Sequence, residues 1–210
     1  MKREGRLPGL LEALASREPA PAGGSAAAAT VALGAALLEK AALLSVEKWD
    51  GADRARQRAH DLRLRAEELI ERDAHAYLEY VEARRAKRAF SEEWSRTVDV
   101  PLEIERVAFD VVSLAHDVGR HGNSKLRPDC TTAAILAHAA ISAGAMMVKV
   151  NLGVSLGDAR LPEALQIMRD ASASVRRLGA LDLTGGRDRV STRSRDTGRR
   201  SRARDPRDGR

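Results

Sequence analysis

Alanine, far more than any β-branched or aromatic residue, supplies the apolar side chains of this 210-residue chain. Hydrophobic residues make up 43% of the sequence but aromatics only 3%. Strands draw on Val, Ile, Thr and aromatic side chains, whereas alanine is the strongest helix former. The composition therefore predicts an all-α fold whose core is built by closely packed helices. Read for apolar spacing and breakers, the sequence predicts helices over 7–16, 25–48, 53–89, 100–119, 128–152 and 162–178. Between the first two, Arg17–Gly24 reads as a loop fixed by two prolines and loosened by two glycines. Ser25 reads as the N-cap of the helix that follows, and Pro101 as a first-turn residue of the 100–119 helix.

The formal charge of +6 is confined to one end of the chain. Residues 186–210 hold ten arginines and four aspartates, which leaves 1–185 neutral. Almost nothing apolar interrupts that stretch, so it is expected to be a disordered basic tail, 181–210, after a single domain, 1–180. The tail gives only weak grounds for nucleic-acid binding, because aspartates dilute its arginines and no aromatics accompany them.

One cysteine, Cys130, excludes an internal disulfide framework and favours a reducing, cytoplasmic setting. The uncharged run around Ala26–Leu38 is broken by Thr30 and Gly34 and closed by Glu39-Lys40, short of the roughly 20 apolar residues of a spanning helix. No membrane partner is expected. The histidines at 60, 75, 116, 121 and 138 show no ligand spacing, so no metal is expected either.

Polar residues that fall inside apolar stripes are the candidates for chemistry. Asp73 shares a helical face with Leu62, Ala66, Leu69, Ala76, Tyr77 and Tyr80. A carboxylate there must be paired, capping another helix, protonated or facing a wet cavity. Glu39 aligns with Ala28, Ala32, Ala35, Leu43 and Val46, where an arginine partner or the end of the bundle would equally account for it. Asn151 continues the small-residue stripe of Ala133, Ala137, Ala140, Gly144 and Met147, in a position where asparagine also serves as a helix cap. Gly23-Gly24-Ser25 offers unpaired N–H groups and a hydroxyl at a helix start, and Gly122-Asn123 leading to Pro128-Asp129 has the same form.

Four segments carry a family resemblance: Pro19 to Ala28 (PAPAGGSAAA), Asp73 to Tyr77 (DAHAY), Val100 to Glu103 (VPLE), and Gly122-Asn123 with Asp129 and Ala133, followed by Val148 to Leu152 (VKVNL). In order and spacing these resemble the formiminotetrahydrofolate cyclodeaminase and methenyltetrahydrofolate cyclohydrolase family. The chain departs from that pattern at Ala22, Pro128 and Met147, where the family has glycine, serine and asparagine.

The resemblance implies an up-and-down helical bundle that forms a homodimer and binds a tetrahydrofolate derivative near the glycine turn. It implies enzyme chemistry at a methenyl or formimino carbon, with no cofactor beyond the folate substrate. In that reading Asp73 is the proton carrier and Asp129 a second carrier or a pterin-binding carboxylate. Gly23, Gly24 and Ser25 donate hydrogen bonds to the ligand, and Asn123 and Asn151 orient it. A folate-binding or structural helical protein without catalysis is the alternative.

Overall fold

The computed structural model describes residues 6–153, 155 and 157–184. It is helical throughout: α1 (Arg6–Leu14), α2 (Gly23–Leu43), α3 (Ala52–Arg85), α4 (Ser91–His121), α5 (Arg127–Leu152) and α6 (Arg160–Thr184), with a short 3-10 turn at Ser124–Leu126 before α5. Short connections make consecutive long helices antiparallel neighbours. Helices α2 to α5 pack in sequence, α5 closes back onto α2, and α6 lies across α4 and α5. The all-α expectation holds. Helix α6 carries the ordered chain past residue 180; the basic stretch from 185 onward lies outside the described residues.

Alanine dominates the buried set, with Leu38, Leu69, Ile104, Ile141 and several valines between the alanine contacts. The helices accordingly pack very close. A Cβ added at Gly34 of α2 would lie 3.0 Å from the Ala133 carbonyl oxygen of α5, so glycine permits this approach without displacing the backbone opposite. By length and composition both α2 and the segment Ser124–Leu152 could cross a membrane, with mean hydropathy 1.5 and 1.6. The second of these lies well beyond the uncharged run at Ala26–Leu38. In the bundle each packs on the other, and 44% of its most apolar window is buried.

Two predicted boundaries move for physical reasons. Helix α2 begins at Gly23, so Ser25 is a buried first-turn residue rather than the N-cap. Helix α4 begins at Ser91, nine residues before the predicted start, and carries Pro101 in its interior. Proline there removes the N–H that would bond the Thr97 carbonyl. The Asn151 side chain replaces that donor, its Nδ2 donating to Thr97 O at 2.6 Å.

At the end of the bundle where α2 stops, the turns are tied together. Ser45, fully buried, donates to Ala41 O at 2.7 Å and accepts the Asn123 N–H at 2.9 Å. Trp49 stacks on His121 with ring centroids 5.6 Å apart.

Candidate functional site

The site lies at the opposite end, where α2 begins. Glycines 23 and 24 make the first turn of α2, whose leading N–H groups have no intrahelical acceptors. Asp73, on α3, supplies one. Its carboxylate accepts from the Ser25 N–H and from Ser25 Oγ, the latter at 3.0 Å, while the same hydroxyl also lies 3.0 Å from Ile70 O. The carboxylate sits directly on the glycine turn. A Cβ at Gly24 would lie 2.0 Å from Asp73 Oδ1, so this seat requires glycine.

Asp73 thus caps a neighbouring helix and faces a cavity at once. The cavity, about 260 Å³, is lined by the loop at Pro19, Ala20 and Ala22, by Gly23 and Gly24, and by Asp73, Tyr77, Thr97, Met147 and Asn151. Burial pushes the Asp73 pKa up, and the two hydrogen bonds from Ser25 offset this only in part. A carboxyl raised in this way can hold a proton and release it nearer neutral pH than an exposed one.

Ser25 is fully buried and spends its hydroxyl and N–H on Asp73 and Ile70 O rather than on a ligand. Among the residues singled out from sequence, it meets Gly23, Gly24, Asp73 and Asn151 at this site. Three others lie elsewhere. Glu39 pairs with His60 Nδ1 at 3.0 Å and Arg63 Nε at 2.8 Å on the α2–α3 flank. Partial burial raises its pKa, but the hydrogen bonds from Arg63 and His60 outweigh that and leave it below the ordinary value. Asn123 caps the 3-10 turn through Lys125 N at 3.2 Å, at the far end of the bundle. Asp129 lies half-buried in the first turn of α5. At the helical rise, roughly 27 Å of axis separates it from Met147. Within one chain Asn123 and Asp129 do not reach the cavity.

Sequence reasoning left out Tyr77, Thr97 and Met147 as wall residues. Tyr77 was recoverable: it follows Asp73 by one turn and is 42% exposed, on the cavity side of an otherwise buried stripe. Thr97 was not recoverable, because nothing local places Pro101, four residues on, inside a helix. Among the described residues no group of three or more His, Cys, Asp or Glu side chains is placed to hold a metal ion.

Gly24→Ala tests the seat. The added methyl displaces the Asp73 carboxylate from Ser25, so turnover of the assay substrate is expected to fall at least about tenfold. The thermal midpoint is expected to move by only a few degrees, because loss of the cap is partly offset by alanine's helix propensity. Unchanged turnover would show that the carboxylate has no fixed seat.

The small-residue helical bundle thus holds a carboxyl at a glycine-opened helix start, on the wall of a partly apolar cavity. Residues 6–168 match the family model described as Formiminotransferase-cyclodeaminase, and the chain belongs to that family. It is 29% identical over 184 residues to the methenyltetrahydrofolate cyclohydrolase of Methylorubrum extorquens, a match covering 78% of this chain and 88% of the relative. The crystal structure of formiminotetrahydrofolate cyclodeaminase from Thermotoga maritima superposes with a TM-score of 0.72 at 22% identity, covering 83% of this chain and 92% of the other. That likeness establishes the shared fold.

Proposed function

We propose that the cavity binds a tetrahydrofolate one-carbon derivative and that Asp73 moves the protons for hydrolysis of its 5,10-methenyl bridge, or for the related closure of a formimino group. The observation that carries this reading is the seat of Asp73: a carboxyl with a raised pKa, oriented by Ser25, on the wall of the cavity beside the glycine turn. The name of the Methylorubrum extorquens relative favours the hydrolytic direction.

In that direction the Asp73 carboxylate takes a proton from water as the water oxygen bonds to the methenyl carbon. The resulting carbinol carbon is tetrahedral between two nitrogens. Asp73 then returns its proton to the nitrogen that leaves as one C–N bond breaks, and the hydroxyl proton passes to solvent, giving a formyl group. The formimino reaction uses the same carbon geometry: an amine nitrogen attacks, and ammonia leaves after protonation. Both directions use one group as base and then as acid, and neither requires a cofactor beyond the folate itself.

The reading extends to a homodimer. Leu33 of α2 and Ile135, Met146 and Val150 of α5 are large apolar residues 48–68% exposed, and the three on α5 share one helix face with exposed Lys149 among them. Such a face is unusual on a monomer. An antiparallel twofold contact of α5 on α5, centred near Ala139, covers it. The same contact sets the partner subunit's Asp129 beside the Met147–Asn151 end of this chain, which is where a second carboxyl is of use. Ile135→Glu with Met146→Glu is expected to convert the dimer to monomer in sedimentation and to reduce turnover at least about tenfold at unchanged helicity. A double variant that stays dimeric, or wild-type protein that sediments as a monomer, removes the dimer from the reading.

One spectrophotometric assay tests the reaction. Purified protein is offered 5,10-methenyltetrahydrofolate and, separately, 5-formiminotetrahydrofolate, and the methenyl absorbance is followed. Loss in the first case is the expected result, and gain in the second identifies the formimino reaction. Folate binding with neither change leaves a binding protein. Neither binding nor turnover refutes the reading, and salt-sensitive RNA binding lost on removal of 187–210 would then favour a role for the tail.

A further inference from the structure

The interior proline of α4 and the asparagine near the end of α5 form one device. Thr97 is buried, and its carbonyl is the one that Pro101 deprives of an intrahelical donor. Left open, a buried carbonyl costs the full desolvation of its lone pairs. Asn151 Nδ2 fills the gap at 2.6 Å, and only the nitrogen of the amide can donate there, so the orientation of the amide is fixed. The backbone of Asn151 is fastened too, since Trp94 Nε1 donates to its carbonyl at 2.8 Å. Trp94 is itself braced by the Arg160 guanidinium, 5.4 Å from the ring centroid, which also bonds Ser95 and Asp99. Both Thr97 and Asn151 line the cavity, as does Asp73.

We infer that Pro101 is a positioning residue for this cavity: by leaving the Thr97 carbonyl open it commits Asn151 Nδ2 to the protein and reserves Asn151 Oδ1 as an acceptor for the ligand. The cavity then offers the Asn151 amide oxygen as an acceptor distinct from Asp73, which is left for the reacting carbon. That oxygen suits a ligand N–H donor, such as one on the amino-pyrimidinone edge of a reduced pterin. This inference rests on the folate reading above for its ligand and on the helix geometry for its mechanism. Alanine at position 101 restores the N–H, straightens the ladder and turns the Thr97 carbonyl back onto its own helix. The amide is then free to rotate.

The experiment measures tetrahydrofolate affinity by titration calorimetry, alongside thermal midpoints, for wild type, Pro101→Ala, Asn151→Ala and the double variant. Alanine is the better helix former, so Pro101→Ala is expected to keep or raise the midpoint while weakening binding about tenfold. Asn151→Ala is expected to weaken binding similarly, and the double variant to bind no more weakly than Asn151→Ala alone, because both changes remove the same acceptor. Unchanged affinity in Pro101→Ala, additive losses, or a loss of affinity that merely follows a falling midpoint each overturn the inference.

If wild type binds no tetrahydrofolate, the folate reading fails by itself. Solvent exchange of the Asn151 side-chain amide protons, followed by NMR, then decides the device without a ligand. Slow exchange in wild type and fast exchange in Pro101→Ala is expected; equal exchange in the two overturns it.

Discussion

Asp73→Asn is expected to lower turnover by about two to four orders of magnitude, the usual contribution of a positioned acid–base group. Asparagine keeps the size of the side chain and can still accept from Ser25 Oγ and N–H, so the start of α2 remains capped. What is lost is the proton. Helicity should be unchanged, and the thermal midpoint at neutral pH should hold or rise. The sign follows from the direction of the shift. Burial raises the Asp73 pKa in the folded chain, so the unfolded chain releases its proton first and stability declines as pH rises through that interval. An amide at 73 has no such penalty. In wild type, the acidic limb of the rate profile should lie above the ordinary carboxylate range. Wild-type turnover by Asp73→Asn at any pH would remove Asp73 from the chemistry, whatever the cavity binds.

The second large effect concerns Glu105, which takes no part in the proposed reaction. It is fully buried on α4, and neither carboxyl oxygen has a hydrogen-bond partner. Its Cγ packs where a Cβ at Gly144 would lie, only 2.5 Å away, so α5 must have glycine there. Desolvation, with a smaller contribution from Glu163 that Arg106 opposes, pushes its pKa up to about 8. The folded chain therefore keeps this proton between the ordinary glutamate value of 4.5 and about 8, while the unfolded chain gives it up. Stability falls across that window, by about 3 kcal/mol at pH 7 from this group alone. Glu105→Gln should match wild type within about 1 kcal/mol at pH 5 and exceed it by about 3–4 kcal/mol at pH 8. Denaturant midpoints at the two pH values measure this directly. Parallel midpoints for both proteins would mean that Glu105 is already ionised in the folded state.

The helical class was legible in the sequence because alanine content and spacing act locally, residue by residue. Asp73 was legible for a related reason: a carboxyl amid Leu69, Ala76 and Tyr77 conflicts with its own helix face, and such conflicts are resolved by a partner or a cavity. Here both resolve it. The same criterion marks Glu105, which shares a face with Val98, Ala108 and Val112.

Other features were hidden because they are tertiary. Nothing local announces that Pro101 lies ten residues inside a helix, since the donor that makes this tolerable comes from Asn151, fifty residues later. Glu39 satisfies the periodicity test as well as Asp73 does, and only the positions of His60 and Arg63 reveal an ion pair. For Asn123 and Asp129, the order of motifs along the chain gave no warning that up-and-down topology sends them to the opposite end of the bundle.

The packing of backbone against backbone, seen where Gly34 meets Ala133, also shapes how such a sequence can change over generations. Where the smallest side chains line such a seam almost nothing is left to trim, and truncation can act only on the leucines, isoleucines and valines packed between the seams. At the seams each added methylene must instead push two helices apart. Drift there favours exchanges among the smallest residues, and innovation is directed to the loop before α2 and to the rim of the cavity.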